Sequence, residues 1–319
     1  MLKVFQQGRE GFATPLCDGT DPVPPDGVWL DLIEPSREEE LAVEQVLGLS
    51  LPTREEMAAI EPSSRLYQET GATFITAFVL VNADSDRPDT APVTFVLTAD
   101  KLITIRYGEP RAFKLFAARA ERQLDLRADG VTTFLGLLDA IVDRTADVLE
   151  RVSDQVDAIS QTVFAQPRAG SFETCLYKLG KAQTTNAEIR HSLASLIRAA
   201  GFATLAPAVE NDRDHRDHLR TVIRDAESLS QQSDAISNNT GFLLNAALGL
   251  INIEQSNIIK IFSIAAVVFL PPTLVASIYG MNFDVMPELH WRYGYAFALL
   301  LMVGSVALTL WWFRRKRWL

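Results

Sequence analysis

The pattern of apolar and polar positions divides the chain into three stretches. In the first, GVWLDL, ATFITAFVLV, PVTFVLTA and KLITIRY are short runs rich in β-branched and aromatic residues, and they read as β-strands. Ser36 with Glu39 three residues on forms a capping box that opens a helix through Leu47, and Pro52-Thr53 opens another short helix. An α/β domain is expected over residues 1–125. From Val131 the period changes. Leu135, Val142, Leu149, Val156 and Val163 recur every seven residues, and Leu138, Thr145, Val152 and Ile159 recur at the offset of three. This a/d heptad predicts a long helix packed on a partner helix, ended by Pro167 and Gly170. A second helix, from about Phe172 to Ala200, is expected to end near Gly201 and to fold back antiparallel on the first. A third starts after Pro207. No proline interrupts Ala208 to Leu270, and Gly241 and Gly249 cost roughly 1 kcal/mol each against alanine without forcing a break. Residues 126–257 are thus expected to hold a helical hairpin and a stalk helix. With its continuation, that helix would be a rod on the order of 100 Å long.

The third stretch, residues 258–319, is different material. Ile261 to Tyr279 and Tyr295 to Phe313 carry no charge, and each is about long enough to cross a bilayer core. Between them lies a short polar segment, NFDVMPELHWRYG, preceded by Gly280-Met281. A buried helical hairpin in a soluble core is the alternative; two such runs side by side with interfacial flanks argue for membrane spans. The expected fold class is therefore an α+β membrane protein. A cytosolic α/β domain precedes long coiled-coil-like helices, and a stalk helix continues into the first of two transmembrane helices.

Charge sharpens this division. The 319 residues carry a net −10. Residues 1–257 hold a net −14, and the last 62 hold +4. An acidic chain lacks the basic footprint of a nucleic-acid binder. Lys260 precedes the first run, and Arg314, Arg315, Lys316 and Arg317 follow the second, whereas the connecting loop has Asp284, Glu288 and only Arg292. The positive-inside rule then places both termini in the cytoplasm and the short loop outside, as in a multi-pass protein of the inner (plasma) membrane. Tyr279, Trp291, Tyr293 and Tyr295 would line the outer interface, and Trp311, Trp312 and Trp318 the inner one. The N-terminus has no apolar signal region. Cys17 and Cys175 are too few for a disulfide framework or a Cys-based zinc site.

Two spans cannot enclose a polar path, so conduction requires a homo-oligomer with one helix per subunit on the axis. In the first span Ser256, Ile259, Ser263, Ala266, Leu270, Thr273 and Ser277 fall at steps of three or four and share a face that is small, hydroxyl-bearing or aliphatic. Such a face suits a pore; it also suits plain close packing of helices. Pro271 and Pro272 free the carbonyls of Val267 and Val268. The second span, rich in Leu, Ala, Val and Trp, reads as lipid-facing.

Beyond the first span come Tyr279-Gly280-Met281-Asn282-Phe283 and then Met286-Pro287-Glu288-Leu289. With INIEQSNIIKIF entering the span, FLPPTLVASIYGMN leaving it and a basic tail ending in Trp-Leu, the last 70 or so residues resemble the CorA family of magnesium transporters. VWLDL, LPTREEM and SSRLYQE resemble the family's cytosolic domain. The resemblance implies a homopentameric funnel with the first span lining the pore. It implies Mg²⁺ as transported and regulatory ion, Co²⁺ and Ni²⁺ as further cargo, and no catalytic cofactor. Gly280, Met281 and Asn282 take the place of the outer selectivity element. Neutral amide oxygens can hold the waters of an ion that sheds them reluctantly, without binding it too tightly to leave. Thr273 matches a second polar ring, and Leu270, Phe262 and Ile259 match hydrophobic constrictions. The family often has Met at the positions of Leu270 and Ile259, so this sequence departs from it there. Asp284 and Glu288 would raise the local cation concentration outside. A divalent ion moving inward gains roughly 4.6 kcal/mol per 100 mV, and the chain has no GxxxxGK[ST] motif.

The stretch Arg213-Asp214-His215-Arg216-Asp217-His218 near the start of the third helix has two readings. One is a solvated helix start with acids favoured by the dipole. The other follows from the resemblance: Asp214 and Asp217 match helix acids that meet an acid of the neighbouring subunit, here Glu69, around a regulatory Mg²⁺. Asp84, Asp86 and Asp89 do not fit an EF-hand, because position twelve is Phe95, and read as a polar hairpin loop. A Zn²⁺ transporter of the ZntB branch and a non-conducting membrane-anchored metal sensor are the alternatives. Met281 and Pro287-Glu288 favour the first reading over the zinc branch, and Thr273, Pro271-Pro272 and Asn282 favour it over the sensor. The four histidines are scattered and carry no enzyme motif.

Overall fold

The computed structural model describes residues 1–6, 24, 26–59, 61–85, 88–165, 171–281, 286 and 291–316. The chain divides into two compact units, Met1–Leu244 and Asn245–Leu319.

The first unit is built on one mixed sheet. The four strands expected from sequence form as β2 (Gly27–Ile33), β4 (Ala72–Val81), β5 (Asp89–Leu97) and β6 (Leu102–Arg106). Two more, β1 (Leu2–Gln6) and β3 (Leu66–Glu69), complete the order β1-β2-β6-β5-β4-β3. Only β2 and β6 run parallel. The Ser36–Glu39 capping box forms and opens α1 (Arg37–Leu47), and Thr53 opens α2 (Arg54–Met57) with a second box, to Glu56. These helices put Val43 and Met57 on one face of the sheet, against Leu30, Leu32, Phe74, Val96, Ile103 and Ile105. The other face carries Trp29, Phe95 and Phe5. Trp29 stacks on Phe5 at 4.2 Å between ring centroids and meets Phe116 of α3 (Arg111–Ala120) at 5.6 Å, and Phe95 meets Phe134 of α4 (Gly130–Phe164) at 5.3 Å. Covering both faces explains why the strands read as near-continuous apolar runs rather than alternating ones.

One charged pair lies inside this second layer. Arg106 on β6 grips Asp31 on β2 with two bonds, Nε–Oδ1 at 2.9 Å and Nη2–Oδ2 at 2.8 Å. Thr104 donates to Asp31 at 2.8 Å and accepts from the Trp29 indole N–H at 2.9 Å. The Arg106 guanidinium also lies over the Phe113 ring, 5.0 Å from its centroid. Every polar group in the cluster thereby finds a partner.

The heptad on α4 is buried as the spacing predicts. Its N-terminus is capped by Asp129, whose carboxylate accepts the Thr132 N–H at 2.7 Å. Gly130 is required there, since a Cβ would come within 2.4 Å of the Lys101 backbone. The helix ends at Phe164; Pro167 and Gly170 lie outside the described residues. The partner helix, α5 (Ser171–Ala203), ends two residues past Gly201, close to the expected end. The third helix needs a larger correction. Pro207 opens only a single turn, α6 (Pro207–Glu210), and the chain breaks at Asn211-Asp212. There the Asp212 carboxylate accepts the N–H groups of Asp214 and His215 at 2.8 and 3.2 Å and starts a new helix, α7 (Arg213–Tyr279). An aspartate cap outweighs the proline signal five residues earlier.

α5 and the first half of α7 are joined by a polar seam. Asn186 donates to the Ser233 carbonyl and accepts from its hydroxyl, both at 2.8 Å, and both residues are buried. Gln183 donates to Ser237 at 2.9 Å. Leu219, Val222, Ala226, Ile236 and Leu243 are the apolar rungs above and below.

In the second unit, α7 continues without interruption through Pro271 and Pro272 to Tyr279, and α8 (Gly294–Arg315) carries the second apolar run. Both helices are long and apolar enough to cross a membrane, with mean hydropathies of 2.2 and 2.0 over their most apolar windows.

Candidate functional site

The face singled out on the first span is exposed, as is most of the helix around it. Ser256, Ser263, Ala266, Thr273 and Ser277 are open, and so are three large apolar residues, Ile259 (58%), Phe262 (72%) and Leu270 (65%). The opposite side, with Ile264, Val268, Pro271 and Val275, is the less exposed. Large apolar residues off this face, Ile261, Phe269 and Leu274 among them, are exposed as well, so a single chain leaves most of this helix without a partner.

Hydroxyl orientation adds chemical detail. Thr273 Oγ1 donates to the Phe269 carbonyl at 2.7 Å, and Ser256 Oγ donates to the Asn252 carbonyl at 2.8 Å. Each hydroxyl proton is used inside the helix, so each oxygen presents lone pairs outward. Such a surface accepts hydrogen bonds from the waters of a cation.

At the C-terminal end of α7 Gly280 closes the helix. Its N–H donates to the Ala276 carbonyl at 2.9 Å, and the Met281 N–H donates to Ile278 at 3.2 Å. A Cβ on Gly280 would stand 3.1 Å from the Ala276 oxygen, so glycine is the residue that turns here without crowding. Asn282, Asp284 and Glu288 lie outside the described residues, as does Arg317. Lys260 lies within α7 at the start of the first run. Arg314 and Arg315 form the last turn of α8 and Lys316 caps it.

The three residues matched to a regulatory metal are all in the first unit. Asp214 is exposed in the first turn of α7. Asp217 is engaged by Arg220 at 2.9 Å and Arg213 at 3.6 Å. Glu69 is exposed at the end of β3, and the preceding Gln68 donates to the Leu205 carbonyl at 2.8 Å. Burial, and then the charges of Glu56 and Glu69, push the Tyr67 phenol up to about 12. Among the described residues, no group of three or more His, Cys, Asp or Glu in one chain is placed to hold a metal.

Two features were missed from sequence. His218 pairs with Asp139 of α4 at 2.7 Å. Asp139, Asp143 and Asp147, at steps of four on α4, form an acidic row. Partial desolvation of the Asp143 side chain, which remains exposed, then the charge of Asp139 and those of Asp147 and Asp225, raise its pKa, with Arg119 opposing them. The four-residue spacing of these aspartates was the signal. Asp84, read as part of a polar loop, is gripped by Arg111 (2.5 Å), Arg144 (2.5 Å) and Arg151 (2.6 Å). Its charge is already satisfied, which is why no cation is needed there; Asp86 lies outside the described residues.

An α/β unit with long helices, and a helix that runs on from it as one of two apolar helices of membrane-crossing length, define a two-span membrane protein. The sequence matches the family model described as CorA-like Mg²⁺ transporter protein over residues 26–315. The chain belongs to that family. It is 36% identical over 292 residues to the magnesium transport protein CorA of Pasteurella multocida, covering 92% of each chain. It is 33% identical to that of Escherichia coli over the full length of both. Its fold is that of the complete CorA magnesium transporter of Methanocaldococcus jannaschii, with a TM-score of 0.79 at 17% identity, covering 100% of this chain and 98% of that one.

Proposed function

We propose that this protein is a channel-like transporter that carries Mg²⁺ into the cytoplasm down the membrane potential, with Co²⁺ and Ni²⁺ as further cargo. The observation that carries the reading is the exposed face of α7 between Ser256 and Ser277, which ends at Gly280-Met281. Five chains around an axis would bring these faces together. The ring of Asn282 amides would select the hydrated ion, Thr273 would receive it, and Leu270, Phe262 and Ile259 would form the constrictions that gate by dewetting. Asp284 and Glu288 would concentrate cations at the outer mouth, and the basic residues flanking the spans would hold both termini in the cytoplasm. Residues 1–257 would then be cytosolic.

Gating is assigned to subunit interfaces. Asp214 and Asp217 of one subunit with Glu69 of the next would take a Mg²⁺ ion from the cytoplasm. Bound metal offsets the net −14 of each cytosolic part and holds the pore closed; its loss lets like charges loosen the assembly.

The test is Mg²⁺ influx into liposomes bearing an internal dye, for wild type and Asn282→Ala, at low and high internal Mg²⁺. Flux that depends on Asn282 and falls with internal Mg²⁺ supports both parts. Flux unaffected by Asn282→Ala overturns the pore. Flux unaffected by internal Mg²⁺ overturns the gate.

A further inference from the structure

The end of α8 combines features that neither the pore nor the regulatory site uses. Trp311, Arg314 and Arg315 line a recess of about 330 Å³. The Arg315 guanidinium lies over the Trp311 ring, 5.6 Å from its centroid, so the indole holds one fork in place while Arg314 supplies a second. No acidic residue occurs anywhere in α8, so no neighbour on the helix neutralises the pair.

An apolar track leads into the recess. Gly304, Leu308 and Trp311 follow one side of the helix at steps of four and three, with Leu308 and Trp311 66% and 56% exposed. A Cβ on Gly304 would meet nothing within 4 Å, which leaves a shallow groove. From Gly304 to Trp311 the helix rises about 10 Å. That is about two thirds of one leaflet, half of a hydrocarbon core of about 30 Å.

We propose that this end of α8 binds one anionic phospholipid per subunit, its phosphate held between Arg314 and Arg315 and one acyl chain lying along Gly304 and Leu308 to Trp311. Guanidinium groups suit phosphate because they present paired N–H donors in a fixed fork, which lysine lacks. The apolar track distinguishes a lipid from a free phosphate, which would use only the arginines. The inference rests on the proposed membrane placement of α8.

The experiment is native mass spectrometry of the purified full-length protein, stripped with detergent and then titrated with phosphatidylglycerol or phosphatidylcholine. The wild type is expected to retain phosphatidylglycerol at least tenfold better. Arg314→Gln with Arg315→Gln is expected to abolish the preference without changing the oligomer mass, the double lysine variant to keep part of it, and Trp311→Leu to weaken it. Equal retention of the two lipids, or a preference that survives the double glutamine change, overturns the site. Displacement of phosphatidylglycerol by millimolar glycerol phosphate overturns the lipid assignment in favour of a free anion site. Carbonate extraction of cell membranes separates the underlying reading: protein released by carbonate overturns the membrane placement itself, whereas protein retained but without lipid preference overturns only this inference.

Discussion

The Ser195 hydroxyl accepts the backbone N–H of Phe78 at 2.9 Å, while Ser192, one turn earlier on α5, donates to the carbonyl of the same residue at 2.9 Å. β3 has ended by this point, its last link to β4 being the Thr76 N–H on the Arg65 carbonyl at 2.9 Å. Two serines of a helix thus take over where the neighbouring strand stops, and they close an edge that would otherwise invite pairing with another chain. Replacing both by alanine leaves two part-buried backbone groups unmatched, at about 1–3 kcal/mol each. Urea unfolding of the purified protein should show a clearly lowered midpoint, with faster hydrogen exchange at the Phe78 amide. An unchanged midpoint would mean that water replaces both hydroxyls at no cost.

Asp31 and Arg106 make a harsher case, because both side chains are almost fully enclosed, at 3% and 5% exposure. Removing one partner strands a charge in the layer between the sheet and α3. Asp31→Leu or Arg106→Met alone is expected to cost about 3–5 kcal/mol, and the two together much less, since an apolar pair of similar size has no desolvation penalty. A double-mutant cycle on thermal unfolding measures the difference. Additive losses would show that the pair contributes packing and not charge compensation.

The same pair shows where sequence reading stops. VWLDL and LITIR announce two strands through their β-branched and aromatic residues, but Asp31 looks out of place in a buried run until Arg106 is seen opposite. That pairing depends on a parallel register, Asp31 beside Thr104 and Ile33 beside Arg106, which no local pattern encodes. The α4 heptad was legible because one side of a long helix repeats its burial at fixed spacing. The start of α7 was not, because the Asp212 cap competes with Pro207 and only the folded backbone decides between them. β1 and β3 were missed for a related reason. LKVFQ and LYQE are short and partly polar, and they become strands by pairing at the sheet's edges. At the candidate site, the spacing of small and hydroxyl residues defines one face of α7, but most of that segment is exposed, so burial does not set the face apart. The direction of the Thr273 and Ser256 hydroxyls required coordinates.

The acidic row on α4 yields a pH prediction. Asp143 has its pKa raised in the folded protein, so its ionised form is disfavoured relative to the unfolded chain. Below the unfolded value, about 3.9, the group is neutral in both states and contributes nothing. As pH rises through the folded value the penalty grows, and it is fully present at pH 7. Asp143→Asn should therefore raise the thermal midpoint at pH 7, and the gain should shrink as pH falls through the raised folded pKa towards 4. A gain that is constant between pH 7 and pH 4 would assign the effect to packing. A loss at pH 7 would show that the carboxylate is compensated by Arg119 or by a bound cation.

Thr273 offers the sharpest test of the pore chemistry. Its proton is committed to the Phe269 carbonyl, so the oxygen that faces outward can only accept. A hydrated Mg²⁺ presents water protons to such an oxygen; an anion presents none. Thr273→Ser keeps the acceptor and should conduct at close to the wild-type rate. Thr273→Val keeps the branched shape but removes it, and the ion would cross that level without its hydrogen bonds. If the barrier rises there by about 1.4 kcal/mol, influx falls roughly tenfold. Folding should be untouched, because the Phe269 carbonyl keeps its main-chain partner on the helix. Stopped-flow Mg²⁺ influx into liposomes, with circular dichroism and oligomer mass as controls, reads both effects. Wild-type flux through Thr273→Val would place Thr273 away from the ion path and leave the proposed Asn282 ring as the main polar contact. A tenfold loss with the serine variant intact would tie conduction to the oxygen itself.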